Sequence, residues 1–323
     1  MTPPPTIADI EDAAARIAGA AVRTPLLAGT PIDERVGRPV LLKAEVLQRT
    51  GSFKYRGAHT FLSRIDPERR RAGVVAYSSG NHAQGVAAAA AAFGVPATIV
   101  MPADAPVVKI ARTRALGAAV VTYDRAAESR EGIGRRIAAE TGATLVPPYD
   151  HPWTISGQGT AGLEIAEQAA GLGISLESVV VPCSGGGLTA GIALALEARS
   201  PGTLVYTVEP AGHDDYARSL AAGRRLTANG GSSLCDALLV PTPGEVTFPI
   251  NRRLVATGLA VEDGEVLEAM RVAASDLKLV VEPGGAAGLA ALLAGKVPGS
   301  GPVAIVLSGG NVDPDLLAGV LGG

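Results

Sequence analysis

The sequence predicts an α/β protein of two lobes, each an open, mostly parallel sheet flanked by helices, with the functional site in the cleft between them. Three observations carry that prediction. Short β-branched runs alternate with helix-length stretches from about residue 74 onward. The links between them are so short that successive strands must pair in parallel through right-handed crossovers. Small-residue loops also recur where strands end, as SSGNH (Ser78–His82), CSGGG (Cys183–Gly187) and LSGGN (Leu307–Asn311), and ligands of open α/β sheets bind at such ends.

In chain order, VVAYS (Val74–Ser78) reads as a buried strand and Asn81–Gly94 as a helix closed by glycine. ATIVM is a strand, Val107–Gly117 a helix, AVVTY a strand, Ala126–Gly142 a helix, and TLVPP ends the series. Residues 73–150 therefore form a small lobe, expected to bind substrate. A second alternation follows, with a helix over GQGTAGLEIAEQAAGLG, strand SVVVP, helix Gly187–Ala198, strand LVYTVE and, near the end, strand PVAIVLS. Residues 1–72 precede the small lobe and are expected to pack with 151–323 as one discontinuous, cofactor-binding domain. That arrangement sets Lys54 at the cleft.

Composition excludes several function classes. The chain has 323 residues, 47% of them hydrophobic and 18% charged, which suits a packed globular protein rather than a disordered one. Its 28 basic and 31 acidic residues leave a net charge of −3, so no nucleic-acid partner or anionic membrane surface is expected. The longest apolar run, Val86–Met101, is broken by Gly94 and Pro96 and is too short to span a bilayer. The first residues lack the charged and apolar regions of a signal peptide. Cys183 and Cys235 fit no metal or redox spacing, which points to a reduced, cytoplasmic setting.

The stretch TGSFKYRGA sets Lys54 between two aromatics among small residues. A hydrated surface lysine needs no such setting; a nucleophilic one does, because burial lowers its pKa and a covalent adduct must be gripped. In CSGGG, Ser184, Gly185, Gly186, Gly187 and Leu188 lead from a strand into a helix, so backbone N–H groups can converge on a phosphate. The same residues satisfy G-x-G-x-x-A with Glu209 about 20 residues on, a dinucleotide fingerprint that keeps a nicotinamide oxidoreductase as a rival reading. That rival gives no role to Lys54, SSGNH or LSGGN. Ser78, Ser79, Gly80, Asn81 and His82 gather hydroxyls, an amide and free helix N–H groups, a set that suits a substrate carboxylate as well as it suits simple capping. A phosphate cup together with a lysine able to condense with an aldehyde points to pyridoxal 5′-phosphate.

SFKYRGA, SSGNHAQGVA, ARTRALGA, GQGTAGLEI, VPCSGGGLTAGIA, VVEPGGAAGLAAL and LSGGNVD occur in the order seen in the serine/threonine dehydratase and serine racemase family, which the chain resembles from about residue 20 to 315. The resemblance implies the tryptophan-synthase-β type of fold and a homodimer. It also implies that Lys54 is the covalent anchor, with Phe53 against the pyridine ring, Asn81 on the ring hydroxyl and Ser308 at the ring nitrogen. SSGNH and the arginine of ESREG, Arg130, resemble the branch containing serine racemase and the 3-hydroxyaspartate dehydratases, where that arginine reaches the substrate's far end. VEPAGHDDY resembles a divalent-cation site for Mg²⁺, Mn²⁺ or Ca²⁺, with Glu209, Asp215 and the His213 carbonyl as ligands; by itself the stretch reads as a solvated acidic loop.

The expected activity is that of an ammonia-lyase, or dehydratase, acting on a small 3-hydroxy amino acid (serine, threonine or 3-hydroxyaspartate), with Lys54 and Ser79 as catalytic groups on opposite faces of the substrate. Racemisation on the same site is the alternative.

Overall fold

A computed structural model describes residues 3–322. The helices are α1 (Ile7–Ile17), α2 (Pro31–Val36), α3 (Lys54–Arg64), α4 (Pro67–Arg70), α5 (Asn81–Phe93), α6 (Val107–Ala115) and α7 (Arg130–Thr141). They continue as α8 (Pro152–Gly171), α9 (Gly187–Arg199), α10 (Asp215–Ala222), α11 (Thr247–Leu254), α12 (Asp263–Ser275), α13 (Pro283–Leu293) and α14 (Pro314–Gly322). Six strands form one sheet in the order β1 (Leu26–Leu27), β2 (Val40–Ala44), β10 (Val303–Leu307), β7 (Ser178–Pro182), β8 (Leu204–Pro210) and β9 (Val255–Val261). Four form the other, in the order β5 (Ala119–Tyr123), β4 (Ala97–Pro102), β3 (Val74–Tyr77) and β6 (Thr144–Leu145). Among the described strands every pairing is parallel except β1 with β2. The expected class holds.

Strand alternation divides the large core into two faces. Val303, Ile305 and Leu307 of β10 join Val40, Leu42 and Val208 against α12 and α13. Their neighbours Ala304 and Val306 join Leu41, Val179 and Val181 against α8 and α9. Successive side chains of a strand point to opposite faces, so a strand buried on both reads as an unbroken apolar run. In the small sheet, Val74, Ala76, Ile99 and Met101 meet α5 on one face, and Val75 and Val100 meet Ile133 of α7 on the other. Helix α3 lies between the two sheets. Its Tyr55, Ala58, Phe61 and Leu62 belong to the small-sheet cluster, while a Cβ on Gly157 of α8 would collide with the Arg56 carbonyl.

Three elements differ from the sequence reading for local reasons. Helix α7 starts at Arg130 rather than Ala126, because the Asp124 carboxylate and carbonyl hold residues 126–128 in a turn and Ser129 Oγ caps the helix by accepting from Gly132 N at 3.1 Å. Helix α8 starts earlier, at Pro152, where proline is suited to the first helical position and His151 Nδ1 accepts from Trp153 N at 3.1 Å. Strand β6 stops at Leu145, before Pro147 and Pro148, which lack the N–H a strand would need.

Candidate active site

A cavity of about 640 Å³ opens between the sheets. It is lined by Phe53, Lys54, Ser78–His82, Arg130, Ser184–Leu188 and Ser308, which come from loops far apart in sequence. The structure thus brings together every residue expected to hold cofactor or substrate.

Lys54 opens α3, and its Nζ donates to the Pro148 carbonyl at 2.9 Å and stands 5.1 Å from the Phe53 ring centre. Burial lowers its pKa to about 8, against the opposing pull of the Glu282 carboxylate. Two residues on, Arg56 is wholly buried; its guanidinium is held by Glu45 at 2.8 Å and Glu164 at 2.7 Å. Lys43 joins Glu164 at 2.6 Å. This charge-balanced cluster ties β2, α3 and α8 together, so the lysine projects from a fixed helix. A buried ion pair is a better device for fixing geometry than for adding stability.

The CSGGG loop is built to present donors. The Gly185 carbonyl accepts from Thr247 Oγ1 at 2.6 Å and the Gly186 carbonyl from Asn251 Nδ2 at 3.0 Å. In a trans peptide the next N–H points the opposite way, so those of Gly186 and Gly187 face away from α11. The first N–H groups of α9 have no partner in a preceding turn. Ser184 Oγ accepts from Val240 N at 3.2 Å, which leaves its own hydrogen free to donate. Gly186 has φ 89°, and a Cβ there would strike the Tyr216 hydroxyl. A Cβ on Gly185 would strike the Tyr149 ring. Those donors and the adjoining amine fit a phosphorylated aldehyde.

Across the cleft, Gly80 N donates to Ser78 Oγ at 3.2 Å and α5 begins at Asn81. His82 Nε2 donates to the Val146 carbonyl at 2.9 Å, and burial pushes its pKa down to about 3, aided by the Lys54 charge. Its imidazole is therefore neutral and occupied. Arg130, about half exposed, gives Nε to Glu131 at 2.9 Å and lies 5.7 Å from the Tyr77 ring.

The acidic loop after β8 lies elsewhere. Glu209 is buried, and its two oxygens accept from Tyr216 N at 2.9 Å and Ala217 N at 2.8 Å. That inward pose leaves it no ribose to hold, which removes the physical support for a dinucleotide site. Both buried oxygens of Asp215 lack any partner, and His213 Nε2 pairs with the Gly231 carbonyl at 2.8 Å. Among the described residues, no three His, Cys, Asp or Glu side chains converge as a metal site.

The sequence reading overlooked Glu282, Asn311, Tyr149 and the Arg56 cluster. Glu282 and Asn311 lie inside VVEPGGAAGLAAL and LSGGNVD, and an acidic residue beside Pro-Gly-Gly in an apolar stretch is a usable signal. A Cβ on Gly309 would strike the Glu282 carboxylate, which explains the first glycine of LSGGN.

The model of the family described as "Pyridoxal-phosphate dependent enzyme" matches residues 17–309. L-threo-3-hydroxyaspartate ammonia-lyase of Pseudomonas sp. is 47% identical over 98% of each chain. The structure of maize serine racemase superimposes with a TM-score of 0.92 at 40% identity, covering 98% of this chain and 96% of that one. The crystal structure of a threonine deaminase from T.th. gives 0.90 at 46% identity, covering 96% and 99%. Among the described residues, no helix is long and apolar enough to cross a membrane.

Proposed function

The chain belongs to the pyridoxal-phosphate-dependent enzymes, and from that premise we propose that it is an ammonia-lyase for 3-hydroxyaspartate, converting it to a 2-oxo dicarboxylate and ammonia. The observation that carries this is a buried amine with pKa near 8 facing two donor loops, in a chain 47% identical to a lyase of that name. The reading includes the division into a cofactor-binding domain of residues 1–72 and 151–323 and a substrate-binding domain of 73–150, which two separate sheets support. It also includes a homodimer in a cytoplasmic setting.

In this reading the Ser184–Leu188 loop would hold the cofactor phosphate, Lys54 its aldehyde carbon and Phe53 its ring, while Asn81 and Ser308 would meet the ring oxygen and nitrogen. When bound, the cofactor supplies a conjugated ring that takes up the electron pair left at Cα. Lys54 Nζ removes the Cα proton, because burial brings its pKa to about 8, close enough to neutral pH for a general base. Ser78, Ser79, Gly80 and the first N–H groups of α5, at Asn81 and His82, hold the α-carboxylate. Arg130, once turned from Glu131, meets the second carboxylate, for which a planar guanidinium fork is suited. A 2-oxo-acid assay across serine, threonine and the 3-hydroxyaspartate stereoisomers tests the substrate. Fastest turnover of a monocarboxylate would overturn the Arg130 role.

Ser79 lines the same cavity as Lys54 and supports the second reading, racemisation, in which its hydroxyl serves the face of Cα away from Lys54. Ser79→Ala is expected to reduce racemisation, and elimination from the opposite Cα configuration, by about 100-fold. Elimination on the Lys54 side keeps the carboxylate contacts of Ser78 and the α5 N–H groups and should fall by no more than about tenfold. Chiral chromatography of each stereoisomer's products reads this. Equal losses for both configurations would mean that Ser79 only binds.

The unpartnered Asp215 oxygens support a cation held with Glu209 and the His213 carbonyl, since oxygen ligands of this kind suit Mg²⁺, Mn²⁺ or Ca²⁺. At a hundredfold excess over its Kd, a cation that binds only the folded chain adds about 2.7 kcal/mol. Thermal melts with chelator and with each metal should therefore differ by several degrees. Identical melts would leave Asp215 without a ligand.

A further inference from the structure

Glu282 is buried at 6% exposure, and among the described residues it makes no salt bridge. Its Oε1 accepts instead from Asn81 Nδ2 at 2.5 Å. Asn81 Oδ1 accepts from Asn311 Nδ2 at 2.7 Å, and that nitrogen also donates to the Thr50 carbonyl at 2.7 Å. The chain of bonds thus runs from the residue preceding α13, through the start of α5 and the loop after β10, to the loop before Lys54. Thr50 is itself held at φ 63°, a left-handed conformation unusual for a β-branched residue.

The polarity of this chain is fixed from one end. A backbone carbonyl can only accept, so Asn311 must turn its nitrogen toward Thr50. The second hydrogen of that nitrogen requires an acceptor, so Asn81 must turn its oxygen toward Asn311. Asn81 then has two N–H hydrogens left, and one goes to Glu282. A flipped Asn81 would set nitrogen against nitrogen at Asn311 and oxygen against carboxylate at Glu282. Only one N–H remains for the cleft.

We propose that Glu282, together with Asn311, is a positioning residue that locks Asn81 as an obligate hydrogen-bond donor toward an oxyanion of the bound cofactor. This rests on the cofactor reading above. Lys54, Lys109 and Asp236 are the other charges facing Glu282, and Lys109 pairs with Asp236 at 2.7 Å across the mouth of the cleft. Burial, with Asp236, raises the Glu282 pKa to about 7, against the pull of the Asn81 hydrogen bond, Lys109 and Lys54. A glutamine here could still accept from Asn81, whereas a leucine could not.

The test is a pH titration of the cofactor's visible absorbance in the holoprotein, for Glu282→Gln, Glu282→Leu and Asn311→Leu. A donor held on an ionised oxygen favours the ionised form. Losing the lock should therefore raise the titration midpoint by about one unit in both leucine variants, a tenfold change in the proton equilibrium. Glu282→Gln should stay within about 0.3 of the unsubstituted protein. Unmoved leucine variants overturn the proposal, as does a glutamine variant that shifts as far as leucine, since charge rather than orientation would then be at work. If Glu282→Leu does not fold, Asn311→Leu alone decides. An unsubstituted protein with no cofactor band overturns the cofactor reading itself, and this proposal with it; a normal band with no shift overturns this proposal alone.

Discussion

Lys54→Ala is expected to lower turnover by about 10⁴-fold or more, because one side chain is both the covalent anchor and the base in the proposed reaction. The fold should survive. Removing a buried amine relieves a desolvation cost that outweighs what is lost, one hydrogen bond to Pro148 and the attraction of Phe53 and Glu282. The thermal midpoint of the apoprotein should therefore stay level or rise. Borohydride treatment should leave no cofactor attached to the chain. The pH dependence follows from the direction of the shift. Burial lowers the amine to about 8, and only the neutral form attacks an aldehyde. Cofactor capture by the apoprotein should thus speed up as pH rises through about 8 and level off above it. A midpoint near the ordinary lysine value would mean that water reaches the amine freely. Retained turnover in Lys54→Ala would remove the mechanism altogether.

Gly186→Ala is expected to weaken cofactor binding by about 100-fold. Its φ of 89° costs any residue with a Cβ, typically about 1–3 kcal/mol. Space compounds that cost. The added carbon would strike the Tyr216 hydroxyl, which is held by Asn251 Nδ2 at 2.7 Å and Thr247 Oγ1 at 3.3 Å and so cannot swing aside. The loop must move, and with it the N–H groups that form the cup. Gly202→Ala is the matched control: its φ is 95° with nothing within 4 Å of the added carbon, in a turn between α9 and β8. It should lose stability but not cofactor affinity. Fluorescence titration of cofactor into each apoprotein separates the two. Equal affinities for both variants would show that the cup does not depend on the shape of Gly186.

The parts of the site legible in the sequence are those whose chemistry is confined to a few consecutive residues. A phosphate cup is one strand end, three glycines and one helix start, so Ser184–Leu188 announces itself. Lys54 stands out by its immediate neighbours. The rival dinucleotide reading survived in the sequence because spacing alone cannot say which way Glu209 points; it folds inward onto the first N–H groups of α10.

Residues that act through distant partners were not legible. Glu282 and Asn81 are 201 positions apart, Asn311 and Thr50 261. Arg56 reads as ordinary flanking sequence until β2 and α8 bring Glu45 and Glu164 to it. By itself the sequence determined the alternation of strand and helix, the cup and the lysine, because periodicity and glycine placement act over a few residues. Only the tertiary structure decided which polar groups face each other. Burial forces each buried donor and acceptor to find a partner, and chain folding alone sets which partner lies within about 3 Å.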